Sequence, residues 1–157
     1  MDRAAHSFGA RRTARNEVMY GEPGHAYVFF VYGMYNQFNV VCGPPQHPHA
    51  ILIRGIEPVD GIELMRERRS GPKDRDLTSG PGKLCIALGI DRSFNGEDLL
   101  GERVWIEDYR SVKKREIAVG KRIGIDYAGD DAHRPLRFWL RGNENVSRPR
   151  LEIAPKS

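Results

Sequence analysis

The chain has 157 residues, a formal charge of +4, 39% hydrophobic and 29% charged residues, and two cysteines. That length suits one domain, which buries roughly 70% of its unfolded surface and needs no disulfide or metal to fold. No apolar run reaches the ~18–20 residues of a membrane span and no charged-then-apolar leader opens the chain. The expectation is a soluble intracellular protein, in the cytoplasm or nucleoid of a bacterium or the nucleus of a eukaryote, with Cys42 and Cys85 as reduced core residues.

The chain opens with Ala4-Ala5-His6-Ser7, followed by Arg11-Arg12-Thr13 and Arg15-Asn16. A histidine beside a basic turn suits a phosphate or a base edge, although a lone histidine is more often structural. Next comes the run Tyr27-Val28-Phe29-Phe30-Val31-Tyr32-Gly33-Met34-Tyr35. Aromatic and β-branched side chains fill a pleated surface, so the run predicts a buried strand. Gly33 interrupts it and predicts a tight turn with Tyr32, Met34 and Tyr35 at its tip. Large apolar groups on a hairpin tip are costly in water unless they enter something, and a DNA base stack is one such target. An ordinary core strand with a kink is the other reading.

Asn39 lies in the strand after the tip, and Gly43 to Pro48 forms a turn before the strand Ala50 to Ile53, which Arg54 closes. Asn39 and Arg54 both read from the residues as satisfied polar groups at sheet ends. His47 and His49 flank a proline with no third ligand, which marks a loop rather than a metal site. Asp60-Gly-Ile-Glu63 has capping-box spacing, and Ile62 and Met65 give an apolar stripe, so Asp60 to about Arg69 predicts a helix. Pro81 to Leu88 predicts a second helix, with proline in its first turn and Gly89 at its end. Thr78-Ser79-Gly80-Pro81-Gly82-Lys83 opens that helix with small residues and a lysine. This suits a backbone phosphate at a positive dipole end, or simply a capped helix start, and it does not meet the Walker pattern.

Val104 to Glu107, Ile117 to Ile125 and Leu136 to Leu140 predict strands. In the last, Leu136, Phe138 and Leu140 are expected on the buried side, with Arg137 and Trp139 partly exposed. Strands outnumber helices without βαβ alternation, and no internal repeat appears. The expected fold is a single α+β domain over residues 1–157: a mostly antiparallel curved sheet, a few packed helices and a protruding β-hairpin. Basic residues cluster at Arg11, Arg12 and Arg15, at Arg66 to Arg75, at Lys113 to Arg115 and again from Lys121 to Arg150. Gathered on one face they would attract a polyanion; scattered, they are solvated surface.

Several of these pieces occur together and in order: A-A-H-S, R-x-T-x-R-N, P-G-x-x-Y-V-x-x-x-Y-G-M-Y, L-x-R-x-x-E-P, S-G-P-x-K-L-C-x-A-L and R-P-L-R-F. Over nearly its full length the chain resembles the alkyladenine (3-methyladenine, hypoxanthine-excising) DNA glycosylases of mammals, plants and bacteria. The resemblance implies a monofunctional enzyme of base excision repair that flips an alkylated or deaminated purine from double-stranded DNA. The N-glycosidic bond is then hydrolysed without a metal or organic cofactor and without strand cleavage. It implies that His6, Phe29 and Asn39 bind the flipped base. Phe29 stacks on it where the family often has tyrosine, and Asn39 discriminates against an unwanted amino group. Tyr32 would intercalate with Met34 and Tyr35 packed beside it. Arg54 would position water and phosphate, while Ser79, Gly80 and Lys83 would hold a phosphate. A single small domain acting on one lesion is expected to work as a monomer.

In one respect the chain departs from the pattern. The family's water-activating glutamate lies in an E-A-Y-like segment shortly upstream of A-A-H-S, and only five residues precede His6 here. A general base is worth ~10²–10⁴-fold in rate. Asp2 sits on a terminus expected to be mobile and is not assigned the role. The general-base glutamate is therefore expected to be absent, together with the N-terminal strands around it. Either the sequence is a shortened form of an ordinary glycosylase, or it is a binder of damaged or distorted DNA with little activity. A third reading makes the aromatic tip a subunit interface.

Overall fold

The computed structural model describes residues 2–153. Three strands form an antiparallel sheet in the order β1 (Ala26–Val31), β2 (Tyr35–Val41) and β3 (Ala50–Leu52). The apolar run thus becomes the first hairpin, in register Tyr27↔Asn39, Val28↔Phe38, Phe29↔Gln37 and Val31↔Tyr35. Alternate side chains leave opposite faces of a strand, and both faces of β1 are covered. Ala26 and Val28, with Phe38, pack on Leu84, Cys85, Ile90 and Leu99. Tyr27 and Phe29, with Val41, pack beneath Met19 and Tyr20 of a short 3₁₀ turn at Glu17–Tyr20. Burial on two sides explains why the run is continuously apolar rather than alternating.

Helices α1 (Ile62–Arg68) and α2 (Pro81–Leu88) pack together through Met65, Leu77 and Ala87. α2 has the expected bounds, with Gly89 ending it in the left-handed region at φ 68°. α1 starts later than expected. Its N-cap is Gly61 at φ 69° with no side-chain cap, so the Asp60–Glu63 capping box does not form. Glu63 pairs instead with Arg66, which also holds Asp74.

The second sheet, β4 (Ile117–Gly120) against β5 (Arg137–Leu140), corrects three expectations. The strand foreseen over 117–125 stops at Gly120, where Gly124 turns the chain at φ 75° and a 3₁₀ segment follows at Asp126–His133. The strand foreseen over 104–107 is only a bridge between Leu100 and Trp105, because nothing pairs along its length. The faces of β5 are reversed: Arg137 is 5% exposed and Phe138 63%. Small Ala118 and Gly120 lie opposite Trp139 and Arg137, leaving room for large side chains on the inner face. The Arg137 guanidinium is satisfied there by the carbonyls of Ser147 and Pro149. Burying a charge is tolerable only with such partners.

Cys85 is buried, and burial pushes its thiol up to about 11. Cys42 is exposed rather than in the core, since the chain leaves the sheet after Val41; both cysteines are free. Asp2 is not loose. Its carboxylate pairs with Arg122 and accepts the Ala4 N–H. Among the described residues, no helix is long and apolar enough to cross a membrane.

Candidate functional site

The segment carrying His6 is held by Asn16, which is 2% exposed. Its amide donates to the carbonyls of His6 (3.1 Å) and Arg11 (2.8 Å), and its Oδ1 accepts from the Thr13 N–H and hydroxyl. This brings the imidazole onto the 27/29 face of β1. His6 Nδ1 lies 2.8 Å from the Tyr27 hydroxyl, and the ring meets Phe29 edge-on at 4.3 Å between centroids. Tyr27 and Phe29 are themselves in tilted contact at 5.1 Å.

Burial pushes the Tyr27 phenol up to about 12, so it keeps its proton at neutral pH. Burial among these rings, then the nearby Arg15 charge, lowers the His6 pKa. The hydrogen bond with the Tyr27 hydroxyl engages Nδ1 and leaves Nε2 as the ring nitrogen for another partner. Asn39 lies directly opposite Tyr27, 6% exposed, and spends its amide N–H groups on the carbonyls of Tyr27 (3.0 Å) and Gln37 (3.3 Å). Any contact it makes with a base edge falls to Oδ1.

The hairpin tip projects from the same two strands. Tyr32 and Gly33 sit at φ 53° and 68°, the pair of left-handed residues that a type I′ turn requires. Tyr32 is 82% exposed and Met34 63%. Tyr35 is different, because its ring lies against α2. A Cβ on Gly82 would come within 2.9 Å of it. Tyr35 thus seats the hairpin on the start of α2 rather than standing free beside Tyr32.

That start also carries the expected phosphate group. Ser79 is buried, and its hydroxyl is 3.5 Å from an Asp76 carboxylate oxygen. The Gly80 N–H donates to Thr78 O, and Lys83 reaches Asp76 at 3.7 Å. Of the three, Lys83 is the side chain able to turn toward an anion, in exchange for Asp76. Arg54 follows β3 in the segment that lies against this loop. The Thr78 hydroxyl donates to Ile56 O at 2.5 Å, and Gly55 has room only for hydrogen beside Thr78 O. Arg54 is half-buried, burial lowers its pKa, and its Nε is buried without a protein partner.

The sequence-based residues therefore gather in two groups, His6, Phe29 and Asn39 on one hairpin face and Ser79, Gly80 and Lys83 at the entry to α2, while the segment after Arg54 packs against that entry and the Arg54 charge acts on Arg137. Tyr35 links the second group to the tip. The basic clusters are partly neutralised, with Arg12 paired to Glu17, Arg66 to Asp74 and Arg141 to Glu152.

A model of the family described as "Methylpurine-DNA glycosylase (MPG)" matches residues 1–144. The chain belongs to the methylpurine-DNA glycosylase family. It is 48% identical over 157 residues to a protein of Bacillus cereus (strain G9842), covering 94% of this chain and 77% of the relative. It is 47% identical over 154 residues to one of Desulfitobacterium hafniense (strain Y51), covering 93% and 75%. Both relatives are named "Putative 3-methyladenine DNA glycosylase".

Within this family fold, three residues of the site escaped the sequence reading. Tyr27 looked like one more core aromatic, Asn16 like the end of a motif, and Arg15 like one basic residue among many. The spacing of Tyr27 two residues before Phe29, on the same strand face, was the available signal for the first.

Proposed function

We propose that this chain is a monofunctional DNA glycosylase of base excision repair that flips an alkylated or deaminated purine and hydrolyses its N-glycosidic bond. The observation that carries this reading is one hairpin bearing both an aromatic cluster and an exposed tip. His6, Tyr27 and Phe29 touch ring to ring, and Tyr32 stands exposed three residues beyond Phe29. Three residues of extended chain span about 10 Å, a separation suited to one residue filling the stack while another receives the extruded base. Stacking on the base returns ~1–3 kcal/mol against the few kcal/mol that flipping costs. Tyr32, with Met34, opposes the return of the base. Lys83 and Arg54 supply cations for the backbone on either side of the α2 entry.

In the reaction, water adds to C1′ as the C1′–N9 bond breaks. The purine departs with the electron pair: a deaminated purine takes up a proton on a ring nitrogen, an alkylated one, already cationic, leaves neutral, and in both cases the water proton passes to a base. Asp2 does not fill that last role, since Arg122 engages both its oxygens. His6 Nε2, the ring nitrogen not bonded to Tyr27, faces the leaving purine. Hydrolysis without strand cleavage, by a monomer on duplex DNA, belongs to the same reading.

One observation, the commitment of Asp2 to Arg122, favours a second reading: a binder of damaged or distorted DNA that leaves the bond intact. Single-turnover base release from a duplex with one hypoxanthine, at saturating protein, separates the two. Release well above spontaneous loss is expected. Tight lesion binding without release selects the binder. Binding that does not weaken with salt overturns both, because phosphate contacts release counterions.

A further inference from the structure

The chain beyond β5 forms a strap, residues 144–150, that touches the entry to α2. A Cβ on Gly55 would come within 3.0 Å of Asn145 O and 3.1 Å of Thr78 O, so the strap, the segment after Arg54 and the α2 entry meet at one point. Two arginines hold the strap by its carbonyls. Arg137, 5% exposed, donates from β5 to Ser147 O and Pro149 O. Arg150 folds back on the strap itself, with Nε and Nη2 on Val146 O at 3.1 and 3.0 Å and Nη2 also on Glu144 O at 2.7 Å. The Arg150 side chain is thereby oriented while the residue stays exposed, and its Nη1 edge is left for another partner.

The charges of Arg54 and Arg150 both act on Arg137, so three cations gather here. Among the described residues, none of the three makes an ion pair. Carbonyls orient a guanidinium without cancelling its charge, whereas Arg12, Arg66 and Arg141 are each matched by a carboxylate. Like charges gathered without a counter-ion repel one another and attract an anion. A fixed guanidinium edge suits phosphate oxygens in particular.

We propose that Arg150 makes a backbone-phosphate contact with DNA beyond the α2 entry, from a strap that buried Arg137 positions. The inference rests on the DNA-glycosylase reading above and extends the DNA surface to a residue outside the hairpin and α2. A phosphate there supplies the negative charge that the three arginines lack among themselves. Arg137 touches no DNA and acts through the strap. Such a contact fixes the duplex without reading its bases.

The test is a fluorescence-anisotropy titration of the 157-residue chain over a series of salt concentrations. One duplex carries a single hypoxanthine and the other carries guanine at that position. Arg150→Gln should weaken both by the same factor, about three- to tenfold at low salt, and reduce the slope of log K against log salt by about 0.9. Arg150→Lys, which keeps the charge, should keep the slope. Arg148→Gln, the same charge loss at an exposed neighbour on the strap, should change the slope by less than half as much. An unchanged slope in Arg150→Gln overturns the inference, as does an equal loss in Arg148→Gln, which marks net charge alone. A loss confined to the hypoxanthine duplex also overturns it, since that marks a base contact. So does a loss that Arg150→Lys shares together with a lowered Tm, because the side chain then only packs the strap. A wild-type chain without preference for hypoxanthine overturns the purine reading, and the slope change in Arg150→Gln still supports the phosphate contact. Binding that ignores salt overturns both.

Discussion

Tyr32 carries two opposed costs at one residue. Its φ of 53° is the left-handed conformation that side chains rarely adopt, and its ring is almost wholly in solvent. Strain of ~1–3 kcal/mol at such a position persists where function requires it. Tyr32→Gly removes the strain but adds chain entropy of ~0.5–1 kcal/mol, so stability in urea should stay level or rise slightly. Affinity for a lesion-bearing duplex should fall at least fivefold in a fluorescence-anisotropy titration, since ~1–3 kcal/mol of stacking is lost. A destabilised variant, or one with unchanged affinity, would remove Tyr32 from the role of plug. The aromatic tip was legible in the sequence at this scale. The partner of His6 Nδ1 was not, because it is a phenol 21 positions away along the chain.

At the scale of elements, the contact between Gly82 of α2 and Tyr35 of β2 sets the hairpin against the helix start. In a helix, glycine to alanine ordinarily gains about 1 kcal/mol. Here the new Cβ meets the Tyr35 ring at 2.9 Å and its Cβ at 3.2 Å. Tyr35 pairs with Val31 across the turn, so a displaced ring shifts the tip. For Gly82→Ala, helix gain and clash should offset each other in a thermal melt. Lesion-duplex affinity is expected to drop about two- to tenfold because plug and clamp lose their spacing, with overpacking costs of ~1–3 kcal/mol partly offset by the helix gain. Unchanged affinity would mean that the ring yields freely and the contact sets nothing. The bounds of α2 were readable from Pro81 and Gly89, both local signals. The start of α1 was not, because Glu63 satisfies Arg66 rather than a cap.

Across the whole molecule, the pair of Asp2 with Arg122 ties the first residues to the chain beyond β4. Both side chains are about four-fifths shielded, at 20% and 23% exposed. Arg122 also donates to Asp131 O, and Asp131 accepts the Arg3 N–H. Burial raises the Asp2 pKa, but the Arg122 hydrogen bond, the Ala4 N–H and the Arg122 charge together hold it below its ordinary value. A depressed carboxylate contributes stability above its unfolded pKa, near 3.9, and loses it as pH falls through the folded one. Asp2→Asn should therefore cost about 0.5–2 kcal/mol at pH 7, the lower part reflecting solvent screening. It should also flatten the fall of the urea midpoint between about pH 5 and 2. A variant as acid-sensitive as the wild-type chain would show that the pair contributes nothing there. The Asp131 carboxylate, also depressed by the Arg3 N–H, keeps some slope in either case.

The sequence by itself determined what local spacing controls: the apolar hairpin and its turn, the helix between Pro81 and Leu88, the absence of βαβ alternation and the ordered motifs of the glycosylase family. Alternation in β5 was also plain, since a strand must send successive side chains to opposite sides. Which side lies inward was decided only by the tertiary structure. Ala118 and Gly120 left space opposite Arg137 and Trp139, and the Ser147 and Pro149 carbonyls arrived to satisfy a buried guanidinium. The aromatic cluster follows the same rule. Phe29 and His6 were nameable from motifs, but their edge-on contact, the hold of Asn16 on the His6 carbonyl and the Arg15 guanidinium over the Phe29 ring exist only where distant segments meet.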